Sequence, residues 1–248
     1  MGLYVEAHIR AAVDDVWART QHPAEHQRWD LRFTEIDYLP RAEGEPQRFR
    51  YATRVLPFLT VAGTGVSAGE KERPDGTRTS ALRFASPHPL SLLAEGSGYW
   101  RYVPDGDGVR FLTGYDYRPR WGLFGALADR CGFRPLMGWA TAWSFDRLRL
   151  WLERGITPER ALLNWAAELA VRALVLVVGC TGFGLASFVR LFGPFAPAVA
   201  YLCPLLFAVA IALALFLSPL PGTPAARRCL RTPPTTVRAP RLLATLEP

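Results

Sequence analysis

Residues 109–118 read VRFLTGYDYR. Val109, Phe111, Thr113, Tyr115 and Tyr117 share one parity, while Asp116 falls on the other. A period of two belongs to a β-strand, whose successive side chains point to opposite faces. Residues 48–55, RFRYATRV, repeat the pattern more sharply: Phe49, Tyr51, Thr53 and Val55 alternate with Arg48, Arg50 and Arg54. One apolar face and one arginine-studded face mean a sheet wet on one side and covered on the other. Further strand-like runs occupy residues 4–9, 31–39, 59–68, 78–85 and 92–103, making seven in all. Turn chemistry separates several of them, at EGEP (43–46), PDG (74–76) and DGDG (105–108). Short helices are predicted over 12–20 and 24–28, with His22-Pro23 breaking the chain between them.

The covered face needs a cover. Residues 123–154 are long enough, and Leu136, Trp139, Ala140, Trp143, Leu150 and Trp151 run along one helical stripe. Pro135 suits the first turn of that helix, and Gly155 its end. The fold class expected is α+β: a curved seven-stranded antiparallel sheet around a long C-terminal helix.

The last third of the chain has a different composition. No charged residue occurs in 173–189 or in 191–224, and Arg190 alone separates the two stretches. A bilayer core takes ~20 mostly apolar residues as helix, with a lower limit of ~17. The division expected is a folded domain over 1–154, an amphipathic connector helix over 155–172, a two-helix transmembrane hairpin over 173–217 and a basic tail over 218–248. The connector's apolar side carries Leu162, Leu163, Trp165, Ala166 and Leu169. Residues 1–10 have no apolar signal core. Arg147, Arg149, Arg154, Arg160 and Arg172 precede the hairpin, and Arg227, Arg228, Arg231, Arg238 and Arg241 follow it. Such flanks place both ends in the cytoplasm of a bacterium, at its plasma membrane. The net charge of +7 is read as this juxtamembrane positive charge, not as a nucleic-acid surface.

The order strand, two short helices, six strands, long helix resembles the Bet v 1/START-like superfamily, the polyketide cyclase/dehydrase and lipid-transport (SRPBCC) group. The residues that carry the likeness are VEAHIRAAVDDVWARTQHPAEHQRWD (5–30), RWDLRFTEIDYL (28–39), EGSGYWRY (95–102), RFLTGYDYRPRW (110–121) and FRPLMGWATAWSFDRLRLWLERGITPE (133–159). They look like a bacterial branch with a C-terminal membrane hairpin. The resemblance implies a helix-grip fold with a cavity for hydrophobic ligands between sheet and helix. Some members of the group are cyclases, some transfer lipids and some modulate other proteins. No shared catalytic motif comes with the likeness.

Trp29, Asp30 and Arg32 fall where the second short helix hands over to the second strand, at the mouth expected for such a cavity. Asp30 and Arg32 either orient a polar ligand end or form a structural ion pair. Tyr51, Trp100, Tyr102, Tyr115, Tyr117, Trp139 and Trp143 point inward by strand parity or helical stripe. Aromatic rings with polar tips suit a pocket that is apolar with a few hydrogen-bonding groups. Glu95 and Asp116 take the opposite parity, which argues against a buried general acid or base there.

His22-Pro23-Ala24-Glu25-His26 matches the H-x-x-E-H pattern of a zinc peptidase. Pro23 directly after the first His spoils the one-turn geometry, and a helix–helix corner is the expectation. Cys131, Cys180, Cys203 and Cys229 have no zinc-site spacing and read as small buried thiols. No metal and no cofactor are expected. Gly63-Thr64-Gly65 and Gly96-Ser97-Gly98 lack the rest of any phosphate loop or nucleophile elbow. Gly179, Gly182, Gly184 and Ala186 let helices approach, within the hairpin or in a homodimer. The expected function is membrane-tethered binding of a hydrophobic small molecule or lipid. The rivals are a polyketide cyclase/dehydrase-type enzyme, which needs a polar cavity residue with a shifted pKa, and a regulatory or scaffold module without ligand.

Overall fold

A computed structural model describes residues 2–56, 58–192 and 197–234. They divide into two units, one from Met1–Glu159 with Pro224–Pro248, the other Arg160–Thr223. The first unit runs β1 (Leu3–Ile9), α1 (Val13–Gln21), α2 (Pro23–Trp29), β2 (Glu35–Tyr38), β3 (Arg48–Leu56), β4 (Leu59–Glu72), β5 (Arg78–Ala85), β6 (Leu93–Asp105) and β7 (Gly108–Pro119). α3 (Gly122–Ala128), a π-turn (Asp129–Phe133) and α4 (Arg134–Arg154) follow. The seven strands form one antiparallel sheet in the order β1-β7-β6-β5-β4-β3-β2. This is an α+β arrangement consistent with the helix grip.

Five of the seven strands match their expected spans to within two residues at each end, and β4 runs four residues further than expected. β2 is shorter than expected, because residues 30–34 are spent in a hydrogen-bonded turn before Glu35. The outer face is also less wet than the arginine alternation suggested. Tyr4, Ala81, Tyr99 and Leu112 bury a strip of it. Glu6 accepts hydrogen bonds there from the Tyr4 hydroxyl and from Arg110 Nε, the latter at 2.8 Å.

The two glycines dismissed as a phosphate loop have a packing role. Phe49 pairs with Gly65 and Tyr51 with Gly63 across the β3–β4 ladder. A Cβ at either glycine would collide with the ring opposite. Each ring therefore lies over its partner's bare backbone, and the inner face of the sheet stays open above it.

α4 begins at Arg134 with Pro135 in its first turn and ends at Gly155, left-handed at φ 65°. The start at Pro135 is the expected one, and the earlier part of the 123–154 segment forms α3 and the π-turn. Residues 140–148 are all buried, on every side of the helix. The sheet covers one side, and a segment from the far end of the chain, residues 224–230, covers another. Asp146, fully buried, accepts hydrogen bonds from the Ala225 backbone N–H at 2.7 Å, Arg228 Nη1 at 2.9 Å and Arg149 Nε at 2.7 Å. Cys229 Sγ sits 3.3 Å from the Ala142 carbonyl, and Leu230 exchanges two backbone hydrogen bonds with Glu6 on edge strand β1. A domain cut at Arg154 omits this segment. Of the four cysteines expected as buried thiols, Cys229 is buried, Cys203 half-buried, and Cys131 and Cys180 exposed.

In the second unit, α5 is one unbroken helix, Pro158–Phe192, so the expected connector and first span are continuous. α6 follows, Pro197–Phe216. The two run antiparallel, with Gly179 against Ile211 and Gly182 against the Phe207 ring. A polar stripe at Asn164, Glu168 and Arg172 holds the chain leaving α6. Asn164 Nδ2 donates to the Gly222 carbonyl, Glu168 accepts from Leu220 N–H, and Arg172 Nη1 donates to the Ala214 carbonyl. Spacing of four keeps all three on one helix face. Among the described residues one helix, Pro158–Val189, is long and apolar enough to cross a membrane, where two were expected. The apolar part of α6, Tyr201–Phe216, is shorter. Residues 193–196 and the tail arginines Arg238 and Arg241 lie outside the described residues, as does the Arg190 side chain.

Removing the Asp146 carboxylate strands its buried partners, at a cost on the order of 3 kcal/mol. Asp146→Ala in the full chain is expected to lower the unfolding midpoint and to open Arg227 and Arg228 to trypsin. Asp14→Ala, which breaks an ion pair at a largely exposed carboxylate, is expected to do neither. An unchanged cleavage pattern in Asp146→Ala contradicts the docking of this segment.

Candidate ligand cavity

A cavity of about 1050 Å³ lies between the inner face of the sheet, the α1–α2 corner, β2 and the first half of α4. Its walls are mainly apolar and aromatic, with Phe33, Ile36, Phe49, Leu82, Phe84 and Met137 among them. That suits a drug-sized or lipid-sized apolar ligand. Polar groups line it where α2 passes into β2, and again at Arg41, Glu45, Gln47 and Glu70 on the β2–β3 connection and β4.

Asp30 caps the C-terminus of α2, its N–H bonded to the His26 carbonyl at 3.1 Å. Its side chain is fully buried and takes up four hydrogen bonds. Arg32 supplies three, from its backbone N–H at 3.0 Å, Nε at 2.9 Å and Nη2 at 2.6 Å. His26 Nε2 supplies the fourth at 3.0 Å. The spacing explains the geometry. Four residues along α2 bring His26 over Asp30, and two residues beyond the helix the guanidinium folds back as a fork. The His26 ring stacks on Trp29 at 5.0 Å and meets the Trp100 ring edge-on at 4.8 Å. The Arg32 guanidinium lies 5.6 Å from the centre of the Tyr115 ring.

Burial works against the Asp30 carboxylate, but the Arg32 charge and the bonds from Arg32 and His26 outweigh it. Its pKa is held well below the usual carboxylate range. Burial likewise opposes the Arg32 cation, and Asp30 more than restores it. For His26 burial prevails over the Asp30 bond, so its pKa falls below the ordinary value and the ring is neutral at pH 7. A neutral ring beside an ionised carboxylate carries its proton on Nε2, which leaves Nδ1 as an acceptor. The cluster is one cation, one anion and one neutral imidazole, with no net charge.

The expected site residues separate into two groups. Arg32, Tyr51, Trp100, Tyr115 and Trp139 line the cavity. The other five lie behind its wall. Trp29, expected near the entrance, is fully buried core between Trp100, Phe111 and Phe145, with its Nε1 donating to the Arg19 carbonyl at 2.9 Å. Asp30 stands behind Arg32. The Tyr102 hydroxyl pins α1 through Thr20 at 2.6 Å and Gln21 at 2.9 Å. The Tyr117 hydroxyl donates to Asp129, which also pairs with Arg134 at 2.9 Å and so holds the π-turn. Trp143 is buried in the helix–sheet core. His26, read as part of a corner, is in the wall, and so is Phe49, on the same strand parity as Tyr51. Among the described residues, no three of His, Cys, Asp and Glu gather as metal ligands.

No family model matches the chain. It is 45% identical over 184 residues to the uncharacterised membrane protein YndG of Bacillus subtilis (strain 168), a match covering 74% of this chain. The match covers 66% of YndG, just under two thirds of that protein's length. Among solved structures it is similar to a STAR-related lipid transfer protein fragment from Xanthomonas axonopodis, with TM-score 0.46, 21% identity, and coverage of 60% of this chain and 84% of that one. The human StAR-related lipid transfer protein 5 gives TM-score 0.45 and 14% identity over 60% of this chain and 74% of that one. The Zhui aromatase/cyclase of Streptomyces sp. R1128 gives 0.40 and 15% over 60% and 95%. None of these three scores reaches 0.5, so the functional reading rests on the cavity's own residues.

The His26 environment sets a pH dependence. Its folded pKa lies below the unfolded value of about 6.5. As pH falls below about 6.5, the unfolded chain binds a proton that the folded chain excludes, so stability is full above that value and declines below it. Urea unfolding at about pH 7 and about pH 5.5 is expected to show a smaller loss in His26→Gln than in the unaltered chain. Equal losses in the two proteins place His26 outside the buried cluster.

Proposed function

We propose that this chain binds a hydrophobic small molecule or lipid in the sheet–helix cavity while held at a membrane by its apolar helices. The observation that carries the reading is the cavity itself: about 1050 Å³, walled largely by rings and aliphatic side chains, with a buried polar cluster at Arg32 and His26. At the Asp30–Arg32–His26 end the net-neutral cluster favours a neutral ligand end, such as a hydroxyl or carbonyl, because Asp30 already neutralises the Arg32 charge there. Arg32 offers a donor and His26 Nδ1 an acceptor, while the Tyr115 hydroxyl donates to Thr141 Oγ1, whose own proton goes to the Met137 carbonyl. The α5–α6 hairpin is taken as the anchor, with both of its flanks cytoplasmic at a bacterial plasma membrane, in keeping with the arginines on each side and with the membrane-protein description of YndG. A pairing of two chains through the exposed face of α5 at Gly184 remains part of this reading.

One observation favours a second reading, an enzyme of the cyclase/dehydrase kind. His26 is a neutral imidazole in the cavity wall, oriented by Asp30, the arrangement of a general base and its positioning carboxylate. Binding and catalysis part company at His26→Asn, which is expected to abolish turnover if the ring is a base and to leave an apolar ligand bound if it is not.

Native mass spectrometry of the full chain, released from its host membrane in mild detergent, is expected to show one bound amphiphile per chain. Leu82→Trp, which puts an indole into the cavity, is expected to lose that mass while the protein stays folded. An unaltered chain that carries no extra mass, and takes up none from added host lipid, defeats the proposal. For topology, reporters fused after Arg154 and at Pro248 are both expected to read as cytoplasmic, and an exported signal from either one overturns the orientation.

A further inference from the structure

We propose that the tip of the first unit around α3 is an interaction surface that docks onto an anionic lipid bilayer. The inference rests on the membrane-held reading above and adds a second point of contact to it.

Three connections meet at one end of the antiparallel sheet: the β3–β4 turn, the β5–β6 loop and the passage from β7 into α3. Each carries a large apolar side chain into solvent. Phe58 is 86% exposed, Leu90 59%, Leu123 93%, Phe124 72% and Leu127 61%. Trp121 adds an indole that is 43% exposed. Isolated exposed apolar residues need no explanation, but three on one short helix beside a fourth on the neighbouring loop do.

The backbone is arranged to present them. Trp121 and Gly122 are both left-handed, at φ 68° and 55°. For tryptophan that conformation is disfavoured, and here it reverses the chain so that Leu123, Phe124 and Leu127 face outward. The turn is held from below: Arg120 Nη2 donates to the Ser86 carbonyl at 2.5 Å, and Trp121 Nε1 to the Pro89 carbonyl at 3.2 Å. The tip is thus tied to the β5–β6 loop.

The same end opens the cavity. Leu90 and Leu136 both line it and remain more than half exposed, so they mark a mouth. Charge then selects the occupant. The tip holds Arg118, Arg120, Arg130 and Arg134; Glu95 pairs with Arg118 at 2.8 Å and Asp129 with Arg134 at 2.9 Å, which leaves Arg120 and Arg130 as the excess positive charge. Aromatic and leucine side chains beside arginine suit the interface of an anionic leaflet, where rings enter the acyl boundary and guanidinium groups stay with the phosphates. A second copy is disfavoured, because a twofold axis would bring the same arginines face to face.

The test uses the full chain reconstituted in mixed phosphatidylcholine–phosphatidylglycerol vesicles. Cys131, Cys180 and Cys203 are replaced by serine or alanine, buried Cys229 is retained, and Leu123→Cys carries an environment-sensitive fluorophore. A control label goes at Asp107→Cys, exposed in the β6–β7 turn at the opposite end of the sheet. The Leu123 label is expected to shift to the blue and to lose most of its emission when the acyl chains are brominated, less so in phosphatidylcholine alone. The Asp107 label is expected to respond to aqueous iodide instead. Protein that floats with the vesicles while both labels are quenched alike by iodide overturns the docking and leaves the anchor standing. A Leu123 label shielded from iodide but indifferent to brominated lipid, and dependent on the protein-to-lipid ratio, overturns it in favour of a second copy. Protein that does not float with the vesicles removes the anchored reading, and the docking with it.

Discussion

The first unit turns on one buried carboxylate. Asp30 ends α2, anchors Arg32 and orients His26, and these contacts decide where the cavity wall runs. Neighbouring elements converge on the same few residues. The Leu31 N–H donates to Ser144 Oγ on α4 at 2.8 Å, and the Thr53 hydroxyl of β3 donates to the Arg32 carbonyl. Helix corner, β3 and long helix are therefore referenced to one point. Desolvating the ions costs several kcal/mol each, and the pair is stable because every strong acceptor site on Asp30 is used. Losing either charge would leave the other buried and alone.

The cavity coexists with a well-packed core because the two occupy different stretches of the same elements. Trp29, Phe111, Phe145 and Trp143 fill the space towards the middle of α4. Beyond them the rings of Phe49 and Tyr51 lie flat over glycines rather than reaching across, and the helix face opposite carries Met137 and Trp139. A solid core would need side chains bridging that gap. A ligand would supply the apolar contacts the walls lack there.

Much of the sheet was legible in the sequence, since a period of two with arginine on one parity has a single physical reading. The trace failed where a distant segment intervened. Nothing in 140–148 announces that the outer side of α4 is covered, because its cover lies some eighty residues on, beyond α6. β2 was read too long because Leu31 and Arg32 look like strand residues, while their backbone and side chains close a turn on Asp30. Five of the ten expected site residues line the cavity. For Tyr102, Tyr117 and Trp143 the reason is that parity or helical stripe says which face a ring takes, not where the core ends and the cavity begins; Trp29 and Asp30 sit at the expected handover but one layer behind Arg32. His26 was hidden by its neighbour. Pro23 argued correctly against regular helix through His22, and that same proline starts the helix that carries His26 into the wall. The α5–α6 turn and much of the basic tail lie outside the described residues, so topology is carried by composition.

The claim on which the account stands is that the sheet–helix space takes up an apolar ligand against the Asp30–Arg32–His26 cluster. The most direct measurement is an experimental structure of the full chain in nanodiscs of host lipid. The account predicts elongated density between Phe49 and Met137, its polar end within hydrogen-bonding distance of Arg32 or His26. A cavity closed by inward rotation of Phe133, Met137 and Trp139, with no density beside Arg32, would contradict it.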